Sequence, residues 1–235
     1  MTRLRALALL LVALAVAGCG EEARSGDGTA TLWVTRDRGA TVLVNEHVPA
    51  GQTLLRALHS RAAVTTRYGG RFVQSVDGLA GDASRRRDWF WFVNGLTGDT
   101  GAAEYRLHDG DVAWWDYRDW SGGAETLDVV AGAFPEPFLH GFGGRVRASA
   151  VRYAPGRVAD ARLVAAVIGA SDIATSGTPV AGGEHVFELG PVTPGASLVA
   201  RLRQPGSGPG SPVRFGYGGE VGPLLDGAFT RTFGG

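Results

Sequence analysis

A chain of 235 residues, 44% of them hydrophobic, has room for one or two folded units. Its 23 basic and 23 acidic residues balance, and no basic run interleaved with aromatics occurs, which excludes the phosphate-neutralising surface that nucleic-acid binding needs. The 37 glycines, about twice the usual share, favour tight turns over long helices, and every basic residue is arginine, which reads as a biased genome before it reads as chemistry.

The chain opens with Arg3 and Arg5, followed by an unbroken apolar run from Ala6 to Ala17. That run is too short for a stable membrane-spanning helix, so residues 1–18 are read as a signal peptide. It closes on Leu14-Ala15-Val16-Ala17-Gly18-Cys19, similar to a bacterial lipobox, and Cys19 is the single cysteine of the chain. The expectation is a lipidated Cys19 that tethers the mature chain to the cell membrane on its extracytoplasmic side and leaves no thiol for a disulfide. Residues 19–28, polar and rich in glycine, read as a flexible tether.

Between residues 29 and 120 the pattern is that of a small α+β unit. Thr29 to Thr35 alternates and is β-branched, a first strand. Ala40 to Val44 reads as a second. Leu54, Leu55, Leu58 and Ala62 fall at helical spacing, with Gln52 or Thr53 as the opening residue and an end near Ala63. Val64 to Tyr68 is a short extended piece and Arg71 to Val76 a third strand, turned by Asp77-Gly78. Two aromatic strands follow: Trp89-Phe90-Trp91-Phe92-Val93, ended by Asn94-Gly95, and Val112 to Tyr117, entered through His108-Asp109-Gly110-Asp111. One helix on one face of such a sheet is a β-grasp-like arrangement.

Thr53-Leu54-Leu55-Arg56-Ala57-Leu58, Val73 to Gly78, Trp89 to Gly95 and Tyr105 to Val112 with Trp114 occur here in that order. The combination resembles an uncharacterised bacterial domain family similar to the C-terminal domain of transcobalamin and intrinsic factor. In those vitamin carriers the small β-rich domain closes over cobalamin from one side, and a helical barrel supplies the other. The resemblance implies cobalamin as a ligand, of which this chain carries at most half the site, since no helical-repeat barrel accompanies the domain; no cofactor is expected.

Strand alternation puts Trp89, Trp91 and Val93 on one face, and Phe90 and Phe92 on the other. Val112, Trp114 and Asp116 likewise oppose Ala113, Trp115 and Tyr117. One face packs beneath the helix, yet the other is aromatic too. Either the rest of the chain covers it, or part stays open for a flat ligand or sugar ring to stack on. Trp89, Trp91, Asn94, Trp114, Trp115 and Tyr117 are the candidate ligand contacts, with a turn role the stronger reading of Asn94.

Residues 121–235 read as a second small α+β unit of unassigned family. Glu125 to Ala133 is a strand candidate, and Phe134-Pro-Glu-Pro-Phe138 breaks regular structure. Arg145 to Tyr153 alternates as a strand with one wet face. Val158 to Ile168 reads as a helix with Leu163, Val164 and Val167 as its apolar stripe. His185 to Leu189 and Ser197 to Arg203 are further strands, separated by a loop at Pro205 to Pro212 from a glycine-rich tail carrying Phe215, Tyr217, Phe229 and Phe233.

The five histidines show no metal-ligand spacing, and His108-Asp109-Gly110-Asp111 fits a hydrogen-bonded loop better than a cation site. A Glu136–His140 pair is conceivable, but no nucleophile motif accompanies it. Arg85-Arg86-Arg87 reads as a solvated loop. The sequence thus points to a non-enzymatic, lipid-anchored, extracytoplasmic binding protein for a small molecule, corrinoid-like by the resemblance. The alternative is a structural or interaction lipoprotein of the cell envelope whose aromatics are purely core.

Overall fold

A computed structural model describes residues 28–121 and 128–234. The signal peptide, Cys19 and nearly all of the tether lie outside the described residues, as does the start of the strand candidate at Glu125. In chain order the first half comprises β1 (Thr29–Arg36), β2 (Thr41–Pro49), α1 (Leu54–His59), β3 (Val64–Arg67), β4 (Phe72–Val76), β5 (Leu79–Ala80), β6 (Arg87–Val93), β7 (Leu96–Thr97) and β8 (Val112–Asp119). The second half comprises β9 (Ser149–Tyr153), α2 (Val158–Ile168), β10 (Asp172–Thr175), β11 (His185–Leu189), β12 (Val199–Leu202), β13 (Val213–Tyr217) and α3 (Val221–Leu225). Several small sheets with few helices make the fold α+β.

The first sheet has the order β2-β1-β8-β6-β7, with β1 parallel to β8 and the other pairs antiparallel. The β1–β2 turn puts Asp37, Arg38 and Gly39 at positive φ, the handedness that matches the twist of a tight hairpin. The amides of Arg38 and Gly39 donate to the Asp116 carboxylate at 3.1 and 3.0 Å, which pins the turn to β8. Thr53 caps α1 by accepting from the Arg56 amide (3.2 Å), and Leu54, Ala57 and Leu58 bury against Leu32, Val34, Val93 and Trp115. The helix stops at His59, short of the expected Ala63, because the Ser60 hydroxyl turns back onto the Ala57 carbonyl. A three-stranded sheet, β3-β4-β5, extends this core with Val73 and Val76.

The second sheet runs β10-β9-β11-β13-β12, parallel except for β12. Ala161, Val164, Ala165 and Ile168 of α2 pack on it with Val151, Phe187 and Phe215. Leu163 was expected in that stripe and is instead 49% exposed; the sheet meets the helix on the small-residue side. The expected strand at Arg145 begins only at Ser149, and its expected wet face is dry. Arg152 is 4% exposed because its guanidinium binds the carbonyls of Thr178 and Pro179 and both oxygens of Asp172. Arg157 and Arg203 work the same way, clamping Gly190 and Gly219, and Ala181 and Glu184. The planar five-donor fork suits bridging of carbonyls, which a lysine ammonium on a flexible stem does less well.

The two halves meet on the aromatic strands. Trp33, Phe92 and Trp114 form one buried cluster with Val130, Ala133 and Phe233 of the second half. The described part of the expected Glu125–Ala133 strand is an isolated bridge at Val129 and a 3-10 turn over 131–133. A continuous strand is precluded because the tail folds back over the turn: Arg231 donates to the Gly132 carbonyl, and Ala131 to that of Phe233 (2.9 and 3.0 Å).

Candidate functional site

Trp114, wholly buried, touches Trp33, Phe92 and Phe233 and donates its indole N–H to Thr35 Oγ1 at 2.8 Å. On the other face Trp89 and Tyr117, both 6% exposed, spend their polar tips on the carbonyls of Leu79 and Ala80 (2.9 and 3.0 Å). Trp115 is 2% exposed. Trp91 alone of the five rings is half-buried; it leans on Tyr105 and Trp115 beside a pocket of 180 Å³, below the volume of about 300 Å³ at which small-molecule sites begin. Among the described residues the aromatic strands therefore present no ring-sized open wall. They are packed on both faces.

Asn94 sits at φ 53° in the turn after β6 and is completely buried. Its amide donates to Asp111 Oδ1 and to the Gly141 carbonyl, both at 2.8 Å, while its oxygen accepts from the Val112 amide at 2.7 Å. Asp111 Oδ2 accepts from the His108 amide (2.8 Å) and the Tyr105 hydroxyl (3.2 Å), and that hydroxyl accepts from the Gly143 amide (3.1 Å). Burial pushes the Asp111 carboxyl up, and the bonds from His108 and Asn94 pull it back. Beside it Glu136, 4% exposed, accepts from the amide and Nδ1 of His140 (2.9 and 2.5 Å); burial raises this carboxyl too. The His140 ring lies on Gly110, where any Cβ would collide with Nε2.

This network ties the second half to the Asn94 and His108–Asp111 turns. Replacing Asn94 with alanine strands the Val112 amide and removes two donated bonds, a cost of about 2 kcal/mol or more. The expected urea-denaturation result for Asn94→Ala and Asp111→Ala is a double variant less damaged than the sum of the two. Strict additivity would show that the network is not a unit.

Where the halves part, a cleft of 720 Å³ opens. Its aromatic floor is Tyr105 and Phe142, with ring centroids 5.1 Å apart. His108, Arg106, Arg145 and Arg147 stand around it, Arg106 from the first half and the other two arginines from the second. Of the sequence-derived candidates, two border this cleft without lining it: Trp91 touches Tyr105, and Asn94 holds the Gly141 loop that carries Phe142; Trp89, Trp114, Trp115 and Tyr117 are taken up in the cores. Tyr105 belongs to the motif of the resemblance and Arg145 to an expected strand, but nothing local joins them to Phe142 and Arg147 in one site, because about forty residues separate the two walls. Among the described residues no group of three His, Cys, Asp or Glu side chains could hold a metal, and His140 hydrogen-bonds to Glu136 alone.

Residues 51–119, from the loop before α1 to the end of β8, match the family described as a domain of unknown function (DUF4430). No curated protein matches the chain. Among solved structures, a candidate metal binding protein from Ruminococcus gnavus ATCC 29149 is similar at 18% identity and a TM-score of 0.32, over 40% of this chain and 98% of that one. Haptocorrin in complex with Cbi is similar at 16% identity and a TM-score of 0.33, over 40% of this chain and 26% of that chain.

Proposed function

We propose that this chain is a non-enzymatic, lipid-anchored binding module on the extracytoplasmic side of the cell membrane, and that its ligand occupies the cleft between the two halves. The cleft carries the reading: at 720 Å³ it lies within the range of about 300–1,000 Å³ for small-molecule sites, and both halves furnish its walls. The lipobox-like stretch ending at Cys19 supports the anchor. Among the described residues no helix is long and apolar enough to cross a membrane. The ligand class that the family resemblance suggests is a corrinoid.

Equilibrium dialysis of the full chain in detergent against cyanocobalamin tests that ligand. Retention near one equivalent, weakened by Phe142→Ala, is the expected result; no retention removes the corrinoid. Radiolabelled palmitate fed to the producing cells should label the chain but not its Cys19→Ala variant, and equal labelling of both would remove the anchor.

A structural or interaction lipoprotein is the second reading, and the burial of Trp114 and Trp115 favours it over stacking on the aromatic strands.

A further inference from the structure

We infer that the cleft takes an organic anion, a ring-bearing molecule with a phosphate or carboxylate group. This rests on the cleft being the binding site. Three arginines, Arg106, Arg145 and Arg147, converge there, and among the described residues none of them is ion-paired with a carboxylate. Elsewhere the protein does pair arginine with acid: Arg61 with Glu46, Arg152 with Asp172, Arg157 with Asp160. The cleft arginines are also underused as donors. Among the described residues Arg106 gives one bond to the Gly51 carbonyl, Arg147 gives two to Gly210 and Gly183, and Arg145 gives none from its side chain. A guanidinium has five N–H donors, so several remain for a ligand.

Two carboxylates also border the cleft, Glu104 and Asp99. Glu104 is held away by Arg71 at 3.2 Å and by the Gly101 amide. That leaves Asp99 at the rim, and the buried Asp111 behind His108 and Tyr105, against three arginines. Like charges gathered at one mouth repel, and an anion seated among them relieves the repulsion while accepting bidentate bonds. The positive field reaches behind the cleft: His185 is held well below the usual histidine range, first by burial and then by Arg147 and Arg203. The half-buried Phe142 ring, backed by the buried Tyr105, supplies the apolar surface for the body of the molecule.

The test is calorimetric titration of the full chain in detergent with 1-naphthyl phosphate, 1-naphthoate and neutral 1-naphthol. The expected result is that one or both anions bind at least tenfold more tightly than the naphthol, and the better anion separates a phosphate site from a carboxylate site. Arg145→Gln, which breaks no side-chain hydrogen bond or ion pair among the described residues, should weaken that anion about tenfold, as should Arg106→Gln. Equal affinity for anion and naphthol, unchanged affinity in both variants, or no heat from either anion at millimolar concentration would each overturn the inference. Cyanocobalamin retained while neither anion binds would overturn it and leave the binding-module reading standing. Anions bound without cyanocobalamin would support it and remove only the corrinoid.

Discussion

Trp114→Ala is expected to lower the free energy of unfolding by about 3–5 kcal/mol, the cost of emptying a fully packed aromatic site. Trp114 is the centre of the seam between the halves, edge-on to Trp33 at 5.3 Å and to Phe233 at 5.1 Å. Its indole N–H also holds the Thr35 hydroxyl, which in turn donates to Asp116 at 2.6 Å. Truncation removes ring contacts on both sides and a buried hydrogen bond together. Trp120→Ala is the control, since that ring is partly exposed and lies under Arg86; it should cost about 1 kcal/mol or less. Urea unfolding followed by circular dichroism measures both. Equal small losses would mean that the seam does not hold the halves together.

Acid should act through His185. The ring is 1% exposed, edge-on to Phe138, and its Nδ1 accepts the Val213 amide at 3.0 Å, so the neutral form is the one the fold uses. Burial, then the charges of Arg147 and Arg203, bring its pKa from 6.5 down to about 4. Between those values the unfolded chain binds more protons than the folded one, so stability falls as pH drops from about 6.5 towards 4. At about 1.4 kcal/mol per pKa unit the loss is about 3 kcal/mol. The raised carboxyls of Asp111, Asp116 and Glu136 work in the opposite sense, each favouring the folded state as pH falls through its raised pKa. The comparison that isolates the histidine is wild type against His185→Gln, which keeps an acceptor for Val213. Between pH 7 and pH 4 the wild type should lose about 3 kcal/mol more than the variant; parallel profiles would contradict the assignment.

Elements whose signals are local were legible from sequence. Helix α2 falls on the expected Val158–Ile168 and β11 on His185–Leu189, and Thr53 caps α1 as its position suggested. What failed was which side of an element meets the rest. Leu163 looks like part of a helical stripe, but Ala161 and Ile168 define the buried arc because β9 lies on that side. Arg152 looks like a wet-face residue, and carbonyls brought from residues 178 and 179 made it a buried clamp. The site divides likewise. The His108–Asp111 turn reads as a hydrogen-bonded loop and is one, and Asn94 reads as a turn residue and is also the hub of the buried network. The cleft arises only when Arg145 and Arg147 arrive opposite Tyr105, and no local pattern announces such a meeting.

The central claim is that ligand enters between the halves and not along the aromatic strands. A backbone amide map of the ¹⁵N-labelled protein, titrated with 1-naphthyl phosphate, separates the two directly. Saturable shifts should centre on Tyr105, His108, Gly143 and Arg145, leaving Phe90 to Phe92 and Ala113 to Trp115 nearly unmoved. Shifts centred on those strand residues, with the cleft unmoved, would contradict it.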